Sequence, residues 1–235
     1  CVQILLEGYF VRSKTMAFIL MLTILFCVPA QGSGALSDEM AREVSALTGP
    51  GGAKGAILAV VEGGEVKFAG GFGWADEAMG IAASDKTAFR IGSISKTFVA
   101  AAAQLMAQRG LIDMDEDIMA YLEPDFPAFE RPVTMRMLLT HSAGFEDMVT
   151  GIAVPNVSDT MPLNESVRRY RPAQSLAPGV TSYSNYGIAL AAYAIERAAG
   201  RDFAQLCREE IFLPLGMEHT TFEHMHDVAY VAKPY

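Results

Sequence analysis

Ser93-Ile94-Ser95-Lys96 is the first run in this chain whose residue types and spacing could do chemistry. Residues three apart on a helix project from one face, so the Ser93 hydroxyl and the Lys96 amine can meet. A serine hydroxyl becomes a useful nucleophile only when a neighbouring base takes its proton. Lys96 can be that base if burial disfavours its ammonium form, and the long apolar run that follows it argues for burial. A serine at a helix start also sets unpaired backbone N–H groups beside a developing oxyanion. The plain alternative for these four residues is an N-cap serine followed by a surface lysine.

A second cluster, Tyr183-Ser184-Asn185, follows Pro178-Gly179. In an extended segment Tyr183 and Asn185 point the same way. For Tyr183 to act as a base near neutral pH, its pKa must fall from about 10 by roughly 3 units, which is about 4 kcal/mol. One ammonium at about 3 Å supplies roughly 5 kcal/mol at an effective dielectric near 20 but only about 1 in bulk water, so the arrangement calls for a dry, buried site. Tyr183 held by Lys96 would then accept the Ser93 proton and pass it to a leaving group, while Asn185 would orient Lys96 or bind a substrate amide. Without Ser93 and Lys96, Tyr183 reads as a core aromatic.

Other clusters carry less. His224-Met225-His226-Asp227 begins like a zinc motif, but Val228 and Ala229 stand where further ligands are needed, and these histidines and His219 read as surface residues. Asp113, Asp115 and Asp117 have a calcium-loop rhythm without its glycine or final glutamate, which suits a solvated acidic turn. The glycines around Lys54 do not make a phosphate loop and read as a turn. His141 is a candidate acid–base residue, with a structural place as the alternative. Cys207 sits in an apolar-periodic helix and reads as packing. No metal and no cofactor is expected.

Several elements must position these groups. Leu36, Met40, Val44 and Leu47 recur at helical spacing over residues 36–47. Residues 56–62 and 65–68, joined by Gly63-Gly64, predict a β-hairpin. Residues 93–109 form a helix that is apolar on most faces and therefore buried, stopped by Gly110. Further helices are predicted over 133–139, 188–199 (ended by Gly200) and 203–212 (capped by Asp202). Strands first and helices after predict an α/β or α+β layer.

With 51% apolar residues, 19% charged residues and scattered prolines, the 235-residue chain has the composition of a globular protein and excludes disorder. Its net charge of −9 and the lack of a basic patch argue against a nucleic-acid partner. Residues 17–29 are almost wholly apolar, follow Arg12 and Lys14, and lead into Val28-Pro29-Ala30, the pattern of a secretory signal peptide. An uncleaved membrane anchor is the alternative; a lipid-modified Cys27 is disfavoured by bulky Phe26 before it. Residues 1–30 are accordingly set apart as an upstream extension and signal peptide, with residues 31–235 as the exported domain. A lone Cys207 beyond them allows no internal disulfide.

The runs Phe89-Arg90-Ile91-Gly92-Ser93-Ile94-Ser95-Lys96-Thr97-Phe98, Leu138-Leu139-Thr140-His141-Ser142-Ala143-Gly144-Phe145 and Tyr183-Ser184-Asn185-Tyr186-Gly187 together resemble the serine β-lactamase-related family. That family includes class C β-lactamases, D-Ala-D-Ala carboxypeptidases, esterases and D-aminopeptidases. The resemblance implies a β-lactamase/transpeptidase-like fold, an antiparallel sheet flanked by helices plus a mostly helical subdomain. It implies Ser93 as acylated nucleophile, Lys96 as proton-transfer partner and Tyr183 with Asn185 as the second motif. The expected function is an exported serine hydrolase acting through an acyl-enzyme on a small-molecule or peptide amide, ester or β-lactam. The alternatives are a non-catalytic penicillin-binding-like ligand-binding or regulatory module, or an inactive fragment. The family's third motif, a Lys or His followed by a small residue and Gly, should lie beyond Tyr183. Lys233-Pro234-Tyr235 does not supply it, so the domain reads as incomplete at its C-terminus.

Overall fold

The computed structural model describes residues 2–5, 33–148, 159–223 and 231–233. The apolar run 17–29, Cys27, His224 and His226 lie outside the described residues. The chain divides into two compact units, Cys1–Gly92 with Met225–Tyr235, and Ser93–His224.

In the first unit, strands β1 (Val2–Leu5), β2 (Gly55–Glu62), β3 (Glu65–Asp76) and β4 (Ile81–Ala82) form one antiparallel sheet in chain order. The β2–β3 hairpin turns at Gly63 and Gly64, whose φ values of 59° and 81° are the positive pair that a two-residue hairpin turn demands. Alternation along β2 buries Ala56, Leu58 and Val60 on one face, where they pack with Val44 and Met40 of helix α1 (Ser33–Leu47). The strand β3 runs well past the predicted 65–68. Its Ala69-Gly70-Gly71 segment looks like a breaker in sequence, yet Gly71 is where the chain at Ala83 and Ser84 comes against β3. A Cβ there would lie 2.3 Å from the Ala83 carbonyl carbon, so only glycine permits the approach. Residues 1–30 read from sequence as apart from the fold, whereas Val2–Leu5 pairs with Ile57–Val60 of β2. The unpaired N–H and C=O groups of a strand edge attract any β-prone segment within reach. Lys54, in the glycine-rich turn, pairs with Glu77 at 2.7 Å.

The second unit is helical and is built around α5 (Asn185–Ala199). Leu190, Ala191, Tyr193, Ala194 and Ile195 of that helix are fully buried. Against it pack α2 (Ser95–Gln108), α3 (Met135–Leu139), α4 (Leu163–Arg169) and α6 (Phe203–Cys207), the last continuing as a π-helical turn over Arg208–Phe212. Ala102 and Ala103 of α2 are wholly buried, and their small side chains let α2 and α5 approach closely. Asp202 caps α6 as its position in sequence predicts, accepting from the Gln205 N–H at 2.9 Å. Cys207 packs in this core, and burial pushes its thiol up to about 12, which leaves it protonated and inert. The acidic turn is spent on structure: Asp115 pairs with Arg136 through two bonds of 2.7 and 2.8 Å, and Asp117 accepts from the Met119 N–H at 3.0 Å to cap the short 3-10 helix Ile118–Tyr121. Truncating Leu190 to alanine leaves a void at the centre of this unit. Urea denaturation of Leu190→Ala should show a loss of about 2–5 kcal/mol, the range for an incompletely collapsing cavity.

Candidate active site

Ser93 lies in the 3-10 turn Gly92–Ile94 that opens into α2, and Lys96 is the second residue of that α-helix. The three-residue spacing sets them on one face, and the Lys96 ammonium donates to Ser93 Oγ at 3.0 Å. From ninety residues further along the chain, Tyr183 Oη comes to 2.6 Å from Ser93 Oγ. Lys96 Nζ stands 4.9 Å from the centre of the Tyr183 ring. Because the ammonium has only protons to give, Ser93 Oγ accepts from Lys96 and its own hydrogen is free to point at Tyr183 Oη. This polarity is the one that a proton leaving Ser93 for Tyr183 requires.

The segment that carries Tyr183 is laid down on the run after α3. Glu146 N–H donates to the Ala173 carbonyl (3.1 Å), Leu176 N–H to Gly144 (3.2 Å), Gly179 N–H to Ser142 (3.0 Å) and Ser182 N–H to His141 (2.7 Å). Gln174, itself buried, fastens the same pair of segments by donating to the Ala143 carbonyl at 3.1 Å. Immediately after Tyr183, Ser184 adopts an extended backbone and caps α5, its hydroxyl accepting from the Gly187 N–H at 3.1 Å. Replacing Ser184 with alanine removes that acceptor. Thermal and urea unfolding of Ser184→Ala should report a loss of about 1 kcal/mol.

Two expectations change. Asn185 does not continue an extended segment beside Tyr183; it is the first residue of α5, and its amide is directed at Asp147 Oδ1, 3.5 Å away. The site is also wetter than the electrostatic argument asked for. Ser93 is exposed, Tyr183 is 42% exposed and Lys96 is half-buried. Burial still pushes the Tyr183 phenol up, but hydrogen bonds from Lys96 and Ser93 and the Lys96 charge outweigh it, so the phenol titrates below its ordinary value. Short hydrogen bonds, rather than a dry cavity, carry the shift.

His141 belongs to this site in a way its motif did not announce. It has a left-handed backbone (φ 55°), its ring packs on Tyr183 with centroids 4.6 Å apart, and its Nδ1 accepts from the Ser184 N–H at 3.2 Å. Burial and the nearby Lys96 charge hold its pKa below the usual histidine value. Asp147 was missed from sequence as well, since a carboxylate between Glu146 and Met148 carries no distinguishing pattern. Among the described residues no cluster of histidine, cysteine and carboxylate side chains could hold a metal ion.

Comparison with known proteins finds relatives of this chain. The Beta-lactamase family model matches residues 40–227. Penicillin-binding protein 4* of Bacillus subtilis (strain 168) is 31% identical over 176 residues, spanning 71% of this chain and 37% of that protein. A Beta-lactamase of Yersinia enterocolitica is 30% identical over 172 residues, 72% of this chain and 42% of that protein. Among solved structures, the D-amino acid amidase from Ochrobactrum anthropi SV3, complexed with L-phenylalanine amide, superposes with a TM-score of 0.59 at 30% identity over 81% of this chain and 54% of that one. The chain thus spans about two fifths of the length of the curated relatives it matches. With the family model matched over most of its residues and a β-lactamase/transpeptidase-like fold of antiparallel sheet and helices, this chain belongs to the Beta-lactamase family.

Proposed function

We propose that this protein is an exported serine hydrolase that acts through an acyl-enzyme on an amide, ester or β-lactam. The observation that carries the reading is the meeting of Ser93 Oγ with Tyr183 Oη at 2.6 Å and with Lys96 Nζ at 3.0 Å. In the first half-reaction Ser93 Oγ attacks the substrate carbonyl carbon while its proton passes to Tyr183 Oη, which the Lys96 charge keeps receptive. The tetrahedral oxyanion forms at the mouth of α2, where backbone N–H groups lack helical partners. Tyr183 then returns the proton to the departing amine or alcohol, leaving an ester on Ser93. A water molecule, giving a proton to the Tyr183 phenolate, then attacks that ester, and Tyr183 passes the proton to Ser93 Oγ as it departs, releasing the acid and restoring the serine.

Asn185, tethered to Asp147 at the end of α5, is the group we assign to hydrogen-bonding the substrate. The relatives' names, a penicillin-binding protein, a β-lactamase and a D-amino acid amidase, support a carbonyl substrate attached to nitrogen. Export rests on the basic residues Arg12 and Lys14, the apolar run 17–29 and the small residues that end it. Intact mass analysis of the secreted protein should find Gln31 as the first residue; a product that keeps residues 17–29 would favour the membrane anchor.

The direct test is to incubate the full-length protein with a fluorescent penicillin or a fluorophosphonate and map the adduct by peptide mass spectrometry. The adduct is expected on the peptide containing Ser93. Modification elsewhere, or an equal yield from a Ser93→Ala variant, would refute the assignment.

A further inference from the structure

We propose that His141 is a positioning residue, which holds Tyr183 in reach of Ser93 through an imidazole whose Nδ1 must be unprotonated. The proposal rests on the hydrolase reading above and adds a residue to it. Both peptide neighbours of Tyr183 are tied to this one residue: Ser182 N–H donates to the His141 carbonyl at 2.7 Å and Ser184 N–H donates to its Nδ1 at 3.2 Å. The ring lies against the face of Tyr183, with centroids 4.6 Å apart and planes inclined by 36°. Tyr183 is therefore gripped before, behind and on one face by His141, and its remaining polar end meets Ser93 at 2.6 Å.

The grip has a backbone cost that argues for purpose. Among the described residues His141 is the only non-glycine with positive φ, at 55°. That conformation is uncommon for side chains with a Cβ and tends to persist where its surroundings over-determine it. Here it lets one residue present both its carbonyl and its Nδ1 to the segment 182–184.

An acceptor role for Nδ1 fixes the proton of the neutral ring on Nε2. A second proton would turn Nδ1 into a donor facing the Ser184 N–H, so the bond would be lost. The charged groups that face His141 are Lys96 from α2 and Asp147 from the run after α3; the first opposes a second cation there and the second favours it. Burial and Lys96 outweigh the raising effects of the Ser184 backbone and Asp147, which keeps the neutral ring favoured in the folded protein. The sign follows: support for Tyr183 is complete above the ordinary histidine value of about 6.5 and is lost as pH falls through the lower folded value.

Two variants separate this role from mere packing. Glycine at position 141 tolerates the positive φ but offers no acceptor; asparagine tolerates it too and carries an oxygen that can replace Nδ1 without titrating. At pH 8 the fluorophosphonate should acylate Ser93 roughly 10²-fold more slowly in His141→Gly, the scale of a misplaced catalytic group, and His141→Asn should recover most of that loss. As pH falls from 8 to below the ordinary histidine range, the wild-type rate divided by the His141→Asn rate should fall as Nδ1 gains its proton. A ratio that stays constant with pH, or a His141→Gly rate equal to wild type, would overturn the proposal. A second readout needs no turnover: nitrogen chemical shifts of the His141 ring, recorded in Ser93→Ala protein at pH 8, should show a bare Nδ1 and a proton on Nε2. The opposite tautomer overturns the positioning role whatever becomes of the hydrolase reading. Absence of any Ser93 adduct in wild type, beside the expected tautomer, would count against the hydrolase reading alone.

Discussion

Ser93→Ala should abolish covalent labelling by a fluorescent penicillin and reduce hydrolysis of any accepted ester or amide by at least about 10³-fold, since nothing then remains to form the acyl bond. The expectation follows from geometry. Ser93 Oγ is the one atom that both Lys96 Nζ and Tyr183 Oη approach within hydrogen-bond reach, at 3.0 and 2.6 Å. Cys207, the one cysteine among the described residues, is buried with a thiol raised to about 12, so it cannot substitute as nucleophile. Alanine at position 93 also leaves the fold intact, because Ser93 is exposed and lies ahead of the first full turn of α2. Unchanged thermal stability with lost labelling is the expected pair of results. Persistent labelling at the Ser93 peptide's neighbours would move the nucleophile elsewhere.

Tyr183→Phe should slow acylation by roughly 10² or more, and Lys96→Ala by a comparable factor, the usual scale for a general base and its electrostatic support. Phenylalanine keeps the ring that packs on His141 and removes only the oxygen that would take the Ser93 proton. Because Lys96 acts on Ser93 both directly and through the phenol, the two losses should not add; the double variant should fall only slightly below the worse single one. The rate of acylation in wild type should rise with pH through the depressed Tyr183 value, since the anionic phenol is the proton acceptor. Stopped-flow acylation from pH 5 to 10 measures both points. Fully additive single losses, or a flat profile, would place the base outside this pair. The site's exposure makes one further demand. At an effective dielectric near 20 a cation at about 3 Å contributes roughly 5 kcal/mol, but only about 1 when water fills the gap, so a bulky substrate that displaces water should be acylated faster than a small one of equal intrinsic reactivity.

Some of the architecture was legible because local physics repeats regularly. Gly63-Gly64 between alternating runs specified the hairpin, and Asp202 ahead of an apolar-periodic segment specified the start of α6. Helix α4 was not legible: Leu163–Arg169 is short, polar and buries Val167 alone, so it carries almost no periodic signal. The full length of β3 was hidden for the opposite reason. Its glycines lower strand propensity in isolation, and what selects them are close neighbours: the Phe68 ring at Gly70, the chain at Ala83–Ser84 at Gly71 and the Lys54 carbonyl at Gly73, the last two being tertiary facts.

By itself the sequence determined that Ser93 and Lys96 share a face, because the pitch of a helix fixes neighbours three residues apart whatever surrounds it. It also named Tyr183 and Asn185 as a second cluster worth the same attention. Only the tertiary structure decided that Tyr183 meets Ser93 across ninety residues, that Asn185 turns to Asp147, and that His141 grips the tyrosine from a left-handed backbone. Those contacts depend on the hydrogen-bonded alignment of residues 141–146 with 173–182. No local periodicity encodes that pairing, since it is set by where two distant segments of chain are brought to lie side by side.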